Sequence, residues 1–175
     1  MLSHTMLAAM ITLDLPEKGT SKLATANLAA LRSFLRRARQ AVPMAGEVSV
    51  LLASDAEIRK LNRVFRHQDH ATDVLSFPAP PIPENIAGDL AISLDAAARQ
   101  ALEFGHPLVV ELKILLLHGL LHLAGYDHES DAGEMAVLEE QLRRRFRLPT
   151  ALIARTLDAK PRGRTMARKK STGRP

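Results

Sequence analysis

Residues 107–124, PLVVELKILLLHGLLHLA, are apolar on nearly every side when they are placed on a helix. A helix of that kind is stable only where other elements cover it all round. Pro107 suits its first turn, and Gly125 can end it in a left-handed conformation. The longest unbroken apolar run of this segment, Ile114–Leu117, is far too short to cross a membrane. The segment therefore predicts the buried central helix of a globular domain.

Shorter patterns on either side predict the elements that cover this helix. Apolar positions recur at helical spacing in residues 28–42, 54–65, 95–104 and 134–146. Capping-box spacing places helix starts at Ser54 with Glu57 and at Asp131 with Glu134. Strand patterns occupy residues 6–13, 47–52, 74–77 and 87–93, and a short piece follows at 150–157. About four strands among five or six helices predict an α+β fold, with one domain over residues 1–158.

Two histidines lie four residues apart on the central helix, and a third follows just beyond its end. In the segment His118-Gly-Leu-Leu-His122-Leu-Ala-Gly125-Tyr-Asp-His128, the first two imidazoles project from one face. Gly125 lets the chain turn sharply, so that His128 can approach the same point. Three neutral imidazoles with a fourth position left open are typical of catalytic zinc sites. The alternative is three unrelated histidines, two of them buried in the core without partners, which is costly.

The spacing of these histidines equals that of the metzincin peptidases, H-E-x-x-H-x-x-G-x-x-H, including the glycine. In those enzymes the glutamate after the first histidine is the general base. Gly119 stands at that position here and has no side chain to accept a proton. We therefore predict a metal-dependent hydrolase that does not cleave peptides by the metzincin route.

Three blocks of the sequence together resemble one known family. The histidine segment reads as the H-G-x-L-H-L-x-G-Y-D-H motif of the YbeY family, bacterial endoribonucleases that mature ribosomal RNA. The blocks LNRVFR and TDVLSFP at residues 61–66 and 72–78, and GDLAIS at 88–93, agree in order and spacing. The resemblance covers about residues 45–148. Phe65 departs from it, because the family often has tyrosine there, and the basic tail is not part of the family's common core.

The resemblance implies a zinc-dependent endoribonuclease for single-stranded RNA, acting in maturation of the 16S rRNA 3′ end and in ribosome quality control. It implies a small mixed sheet beside a central helix that carries the first two ligands. By motif position, His118, His122 and His128 bind one zinc ion, and with Arg66 they form the catalytic site. The implied partners are ribosomal RNA, the small ribosomal subunit, and a ribosomal protein or assembly GTPase. The implied location is the cytoplasm, with no membrane.

Several polar residues near these motifs have two interpretations each. Arg66 can meet the negative charge of a phosphodiester, although an isolated arginine is more often a solvated surface residue. Asp127 can orient an imidazole or act as a base, or it can be an ordinary turn residue. Asp73 and Asp89 can support the site or cap helices. His67 and His70 can line an RNA groove or lie in a solvated loop.

The composition excludes some kinds of chemistry and indicates a polyanion as a binding partner. The chain has no cysteine, which excludes disulfides, thiolate metal ligands and a cysteine nucleophile. Residues 159–175 hold seven Lys or Arg and no acid. The positive charge of this tail is therefore larger than the net charge of the whole chain, which is +5. Such a tail is usually disordered and contacts nucleic acid, or it only improves solubility. With one tyrosine and no tryptophan, RNA binding is expected to rest on backbone electrostatics and not on base stacking.

Three functions stay open on the sequence alone. The first is a ribonuclease that acts on ribosomal RNA. The second is a zinc hydrolase of another substrate class, against which the missing glutamate after His118 argues. The third is a non-catalytic ribosome-assembly factor with a structural metal, against which the open coordination position argues.

Overall fold

The computed structural model of the protein describes residues 13–14, 25–80 and 86–149. Its elements confirm the predicted α+β class: β1 Leu13–Asp14, α1 Thr25–Ala41, β2 Glu47–Ala53, α2 Asp55–Arg66, β3 Val74–Pro78, β4 Ile86–Ser93, α3 Leu94–Glu103, α4 Leu108–Leu123 and α5 Glu134–Phe146. Most of the predicted strand at 6–13, the short piece at 150–157 and the basic tail lie outside the described residues. The domain boundary at residue 158 also lies outside them and stays a prediction.

The four strands form one mixed sheet in the order β1-β2-β4-β3. β1, β2 and β4 run parallel, and Val50 of β2 lies beside Leu90 of β4. β3 pairs with β4 in the antiparallel direction, with Leu75 beside Ala91. Residues 90–93 are all buried, which is typical of a strand that is covered on both faces. The small mixed sheet implied by the family resemblance is therefore present.

α4 is the central helix, as predicted, and it contacts α1, α3, α5, β3 and β4. Nearly every residue from 111 to 121 is buried. On one face of the sheet α1 and α4 enclose the main core, which includes Val50 and Leu117. On the other face α2 packs over a smaller cluster that includes Ile58 and Leu75. Among the described helices, none alone is long and apolar enough to cross a membrane, and α3 with α4 reach that standard only as a pair bent by 114°.

Gly119 allows α4 to lie close against the sheet. A β-carbon at this position would be 2.8 Å from Cδ2 of Leu90 and 3.4 Å from Cγ2 of Val74. Non-bonded carbons normally pack at about 3.5–4.0 Å, so a larger side chain would push α4 away from the strands. The position after the first histidine therefore faces the sheet, and the glutamate of the metzincin motif has no room there.

Two predicted capping boxes have different outcomes. The box at the start of α2 is confirmed, because Ser54 Oγ accepts the N–H of Glu57 and the Glu57 carboxylate accepts the N–H of Ser54. The capping box predicted at the start of α5 is wrong. That helix begins at Glu134, one residue after Gly133, and Asp131 instead accepts the N–H of Met135. The aspartate still satisfies a free N–H of the first turn, but from two residues further upstream.

Candidate metal centre and its cleft

The end of α4 and the loop after it bring the three predicted histidines together. His118 is buried and His122 half-buried one turn apart on α4. Gly125 then adopts the predicted left-handed conformation, with a φ of +89°. The turn places His128 beside the other two. The ring centroids of His118 and His122 are 4.7 Å apart, and that of His128 is 5.2 and 5.3 Å from them.

The donor atoms lie close enough together to hold one ion. Nε2 of His118 and Nε2 of His122 are 3.1 Å apart, and one ring nitrogen from each histidine lies within 4.8 Å of the others. Two zinc–nitrogen bonds of about 2.0–2.1 Å at a tetrahedral angle place their nitrogens about 3.3 Å apart. Nδ1 of His128 is buried and has no hydrogen-bond partner in the described part of the chain. Buried polar atoms without a hydrogen-bond partner are rare, and binding of a metal ion by the His128 ring would explain this one.

The electrostatics of the cluster also suit a metal. Burial, together with the nearby rings of His118 and His128, lowers the pKa of His122 to about 4. The imidazole is therefore neutral at pH 7, the form in which histidine binds metals. Over residues 25–80 and 86–149, no acidic or further histidine side chain joins the three. An open fourth position is typical of catalytic zinc sites, and structural sites are closed.

Glu139, which the sequence analysis did not single out, lies directly behind His118. Its side chain is 1% exposed, and its Oε1 lies at hydrogen-bond distance, 2.9 Å, from Nδ1 of His118. It shares the buried face of α5 with Met135 and Leu142. An acid on the apolar stripe of an amphipathic helix is the signal that could have revealed it, because burying a carboxylate is costly unless it is hydrogen-bonded.

The three histidines line a cleft of about 720 Å³, and Arg66 lines it too. Arg66 is the exposed last residue of α2, and its Nη2 donates to the carbonyl of Ser76 at 3.3 Å. Among the described residues this is its one side-chain hydrogen bond, so the other guanidinium donors can reach an anion in the cleft. The structure thus brings into one cavity all four residues that the motifs indicate.

Two aspartates of the motifs line the cleft, but their carboxylates are already hydrogen-bonded. Asp73 accepts the backbone N–H of Val74 and the side-chain amide of Gln100, which ties the start of β3 to α3. Asp127 accepts the N–H of Glu129 and the hydroxyl of Ser130 inside its own loop. The turn interpretation of Asp127 therefore has direct geometric support.

Asp89, His67 and His70 are not among the residues that line the cleft. Asp89 lies exposed within β4, and Asp73 precedes a strand, so the helix-capping interpretation is wrong for both. His67 and His70 are exposed and are not among the residues that line the cleft. His67 ends α2 in the left-handed conformation with a φ of 56°. The solvated-loop interpretation therefore describes these two histidines.

Two aromatic side chains line the cleft. Phe104, just after α3, is 45% exposed and lines the cleft. Tyr126, the only tyrosine of the chain, lines it between Gly125 and the third histidine. The expectation that little aromatic surface is available for base stacking is therefore revised at this site.

Comparison with known proteins identifies the family. The sequence profile described as Endoribonuclease YbeY matches residues 12–147. The chain belongs to the YbeY family. A Koribacter versatilis protein named Endoribonuclease YbeY is 54% identical over 149 residues, which are 85% of this chain and 95% of that protein. A Helicobacter pylori protein of the same name is 46% identical over 111 residues, or 63% of this chain and 79% of its own.

Structural comparison agrees with the sequence matches. The solution structure of a Thermotoga maritima protein superposes with a TM-score of 0.54 at 30% identity. The match covers 89% of this chain and 100% of the other. The resemblance to the YbeY family predicted from three motif blocks is confirmed.

The departure from the YbeY pattern at Phe65 does not reach the cleft. Phe65 is 62% exposed and packs edge-on against Phe77, with 5.1 Å between the ring centroids. Neither ring is among the residues that line the cleft with the three histidines. A hydroxyl missing from position 65 therefore leaves the surroundings of the candidate metal centre unchanged.

Proposed function

We propose that this YbeY-family chain is a zinc-dependent endoribonuclease that cleaves single-stranded RNA. The observation that carries the proposal is the group of three histidine nitrogens within 4.8 Å of one another, in the same cleft as Arg66. The name shared by the relatives, Endoribonuclease YbeY, supports RNA as the substrate class. Three nitrogen ligands with an open position favour zinc.

The residues of the cleft suit phosphodiester chemistry. Cleavage spreads negative charge over the phosphoryl oxygens, and the planar guanidinium of Arg66 can bind two of them at once. His122 keeps its lone pair available at neutral pH, because its pKa is about 4. A zinc ion, when bound, supplies Lewis-acid chemistry to the phosphoryl group. His118, His122 and His128 would hold that ion, and Arg66 would hold the substrate phosphate.

Single-stranded RNA fits the aromatic surface of the cleft. Phe104 and Tyr126 can each offer a ring to a base. Bases are available for stacking on protein side chains where they are unpaired, as in loops and at ends. Family membership extends the proposal to ribosomal RNA. The substrate is then the 3′ end of 16S rRNA, in its maturation and in ribosome quality control. The reaction takes place in the cytoplasm, and the partners are the small ribosomal subunit and a ribosomal protein or assembly GTPase.

The test is cleavage of a single-stranded RNA oligonucleotide, and of its duplex, by zinc-reconstituted protein. The parent is compared with Arg66→Ala and with Arg63→Ala, a matched control because Arg63 is exposed on the same helix and lies outside the cleft. Losing a group that stabilises transition-state charge typically slows turnover about 100–1000-fold. We expect that loss for Arg66→Ala and none for Arg63→Ala. Equal cleavage by both variants would contradict the proposal.

The two other functions give different outcomes in parallel assays. Cleavage of a peptide library without cleavage of RNA would indicate a zinc hydrolase of another substrate class. A folded His128→Ala protein that has lost zinc but still supports ribosome maturation would indicate a non-catalytic assembly factor. We expect neither result, because the cleft combines an open metal position with an arginine that can bind phosphate.

A further inference from the structure

Two buried side chains from different helices meet behind the metal centre. Nδ1 of His118 on α4 and Oε1 of Glu139 on α5 are 2.9 Å apart, and their side chains are 6% and 1% exposed. The two residues are 21 positions apart in the chain, so the contact depends on how α5 packs against α4. Met135 and Leu142 are the apolar residues buried beside Glu139 on α5. They keep water away from the carboxylate, and a hydrogen bond is strong in such surroundings.

The contact selects one of the two neutral forms of the His118 ring. When the Glu139 carboxylate is the acceptor, the proton of a neutral His118 ring lies on Nδ1. Nε2 then carries the lone pair, and it is this atom that lies 3.1 Å from Nε2 of His122. The hydrogen bond also fixes the rotation of the ring, because Nδ1 is held from behind while Nε2 faces the cluster.

We infer that Glu139 is a positioning residue of the metal centre: through Nδ1 of His118 it holds Nε2 deprotonated and aimed at the ion. The inference rests on the proposed zinc site, and nothing in the motif blocks assigns this residue. Carboxylates that accept from a ligating histidine typically contribute about 10–100-fold to metal affinity. Glu139 itself touches neither metal nor RNA.

The chain contains a matched pair that separates this role from ordinary packing. Nε2 of His106 and Oε2 of Glu111 are also 2.9 Å apart, with side chains 11% and 0% exposed. Neither of these residues lines the cleft. Glu111→Gln and Glu139→Gln therefore make the same change in two buried Glu–His contacts, of which only one adjoins the three histidines.

The experiment measures zinc affinity of the full chain by competition with a chromophoric chelator, with thermal unfolding run alongside. We expect Glu139→Gln to weaken zinc binding about 10–100-fold, and Glu111→Gln to leave it at the parent value. A glutamine can turn its amide either way, so it no longer selects the His118 tautomer. A folded Glu139→Gln protein that binds zinc as tightly as the parent would overturn the inference.

A second readout uses the metal-free parent and needs neither variant. Nitrogen-15 NMR of the His118 ring should show the proton on Nδ1, and a proton on Nε2 would overturn the inference. Neither measurement involves RNA. A parent that binds zinc but cleaves no RNA therefore refutes the proposed function while the affinity ratio still decides the role of Glu139. A parent that binds no zinc would overturn the inference, because the inference needs the ion, whatever the NMR result.

Discussion

Alanine at position 119 should destabilise this protein, although alanine is the better helix former. Replacing glycine by alanine inside a helix typically stabilises it by about 1 kcal/mol. Here the added β-carbon would lie 2.8 Å from Cδ2 and 3.2 Å from Cδ1 of Leu90. Leu90 is 1% exposed and belongs to the main core, so its side chain can yield only against buried neighbours. Overpacking of this kind costs about 1–3 kcal/mol, which leaves a net loss of about 0–2 kcal/mol.

The sign of the change isolates the contact between α4 and the sheet. Urea unfolding of Gly119→Ala gives the change in the parent background, and the same substitution in Leu90→Val gives its control. Valine lacks both δ carbons, so in that background alanine should stabilise by about 1 kcal/mol. The interaction energy between the two substitutions should therefore lie between about 1 and 3 kcal/mol. A stabilised Gly119→Ala protein in the parent background would refute the packing argument.

Three further results are expected. Phe104→Ala should weaken binding of single-stranded RNA by about 1–3 kcal/mol in fluorescence anisotropy while zinc content stays constant, and unchanged affinity would remove the stacking role. Deleting residues 159–175 should flatten the plot of log affinity against log salt by about 0.7 for each phosphate that the tail neutralises, and an unchanged slope would leave the tail without an RNA role. Hydrogen bonds from Arg143 and Arg144 lower the pKa of Glu140 from 4.5 to about 2. Its contribution to stability is thus complete above pH 4.5 and lost as the pH falls towards 2. An NMR midpoint near 4.5 for this carboxyl group would contradict these hydrogen bonds.

The cluster of three histidines could be predicted from local geometry. His118 and His122 share a helix face because of their four-residue spacing, and Gly125 can reverse the chain for His128 because it tolerates positive φ. These effects act within a dozen residues, and the sequence displays them directly. The position of Arg66 in the same cleft came from the family motif and not from local geometry.

Features that depend on long-range packing were not predictable in the same way. Glu139 meets His118 only after α5 has packed against α4, and no local pattern contains that contact. The insertion of β4 between β2 and β3 likewise depends on pairing between distant strands. Phe104 and Tyr126 reach the cleft because α3 and the loop after α4 end on the same side of the domain. The sequence shows that Glu139 is an acid on an apolar helix face, but it does not show that His118 is its partner.

Elemental analysis of untagged protein tests the proposed zinc site most directly. The parent is compared with His118→Ala, His122→Ala and His128→Ala, and with His70→Ala, an exposed histidine outside the cleft, as the matched control. We expect about one zinc per chain in the parent and in His70→Ala, and its loss from each of the other three folded variants. A parent without zinc after reconstitution, or zinc retained in the three variants, would contradict a zinc site formed by the three histidines.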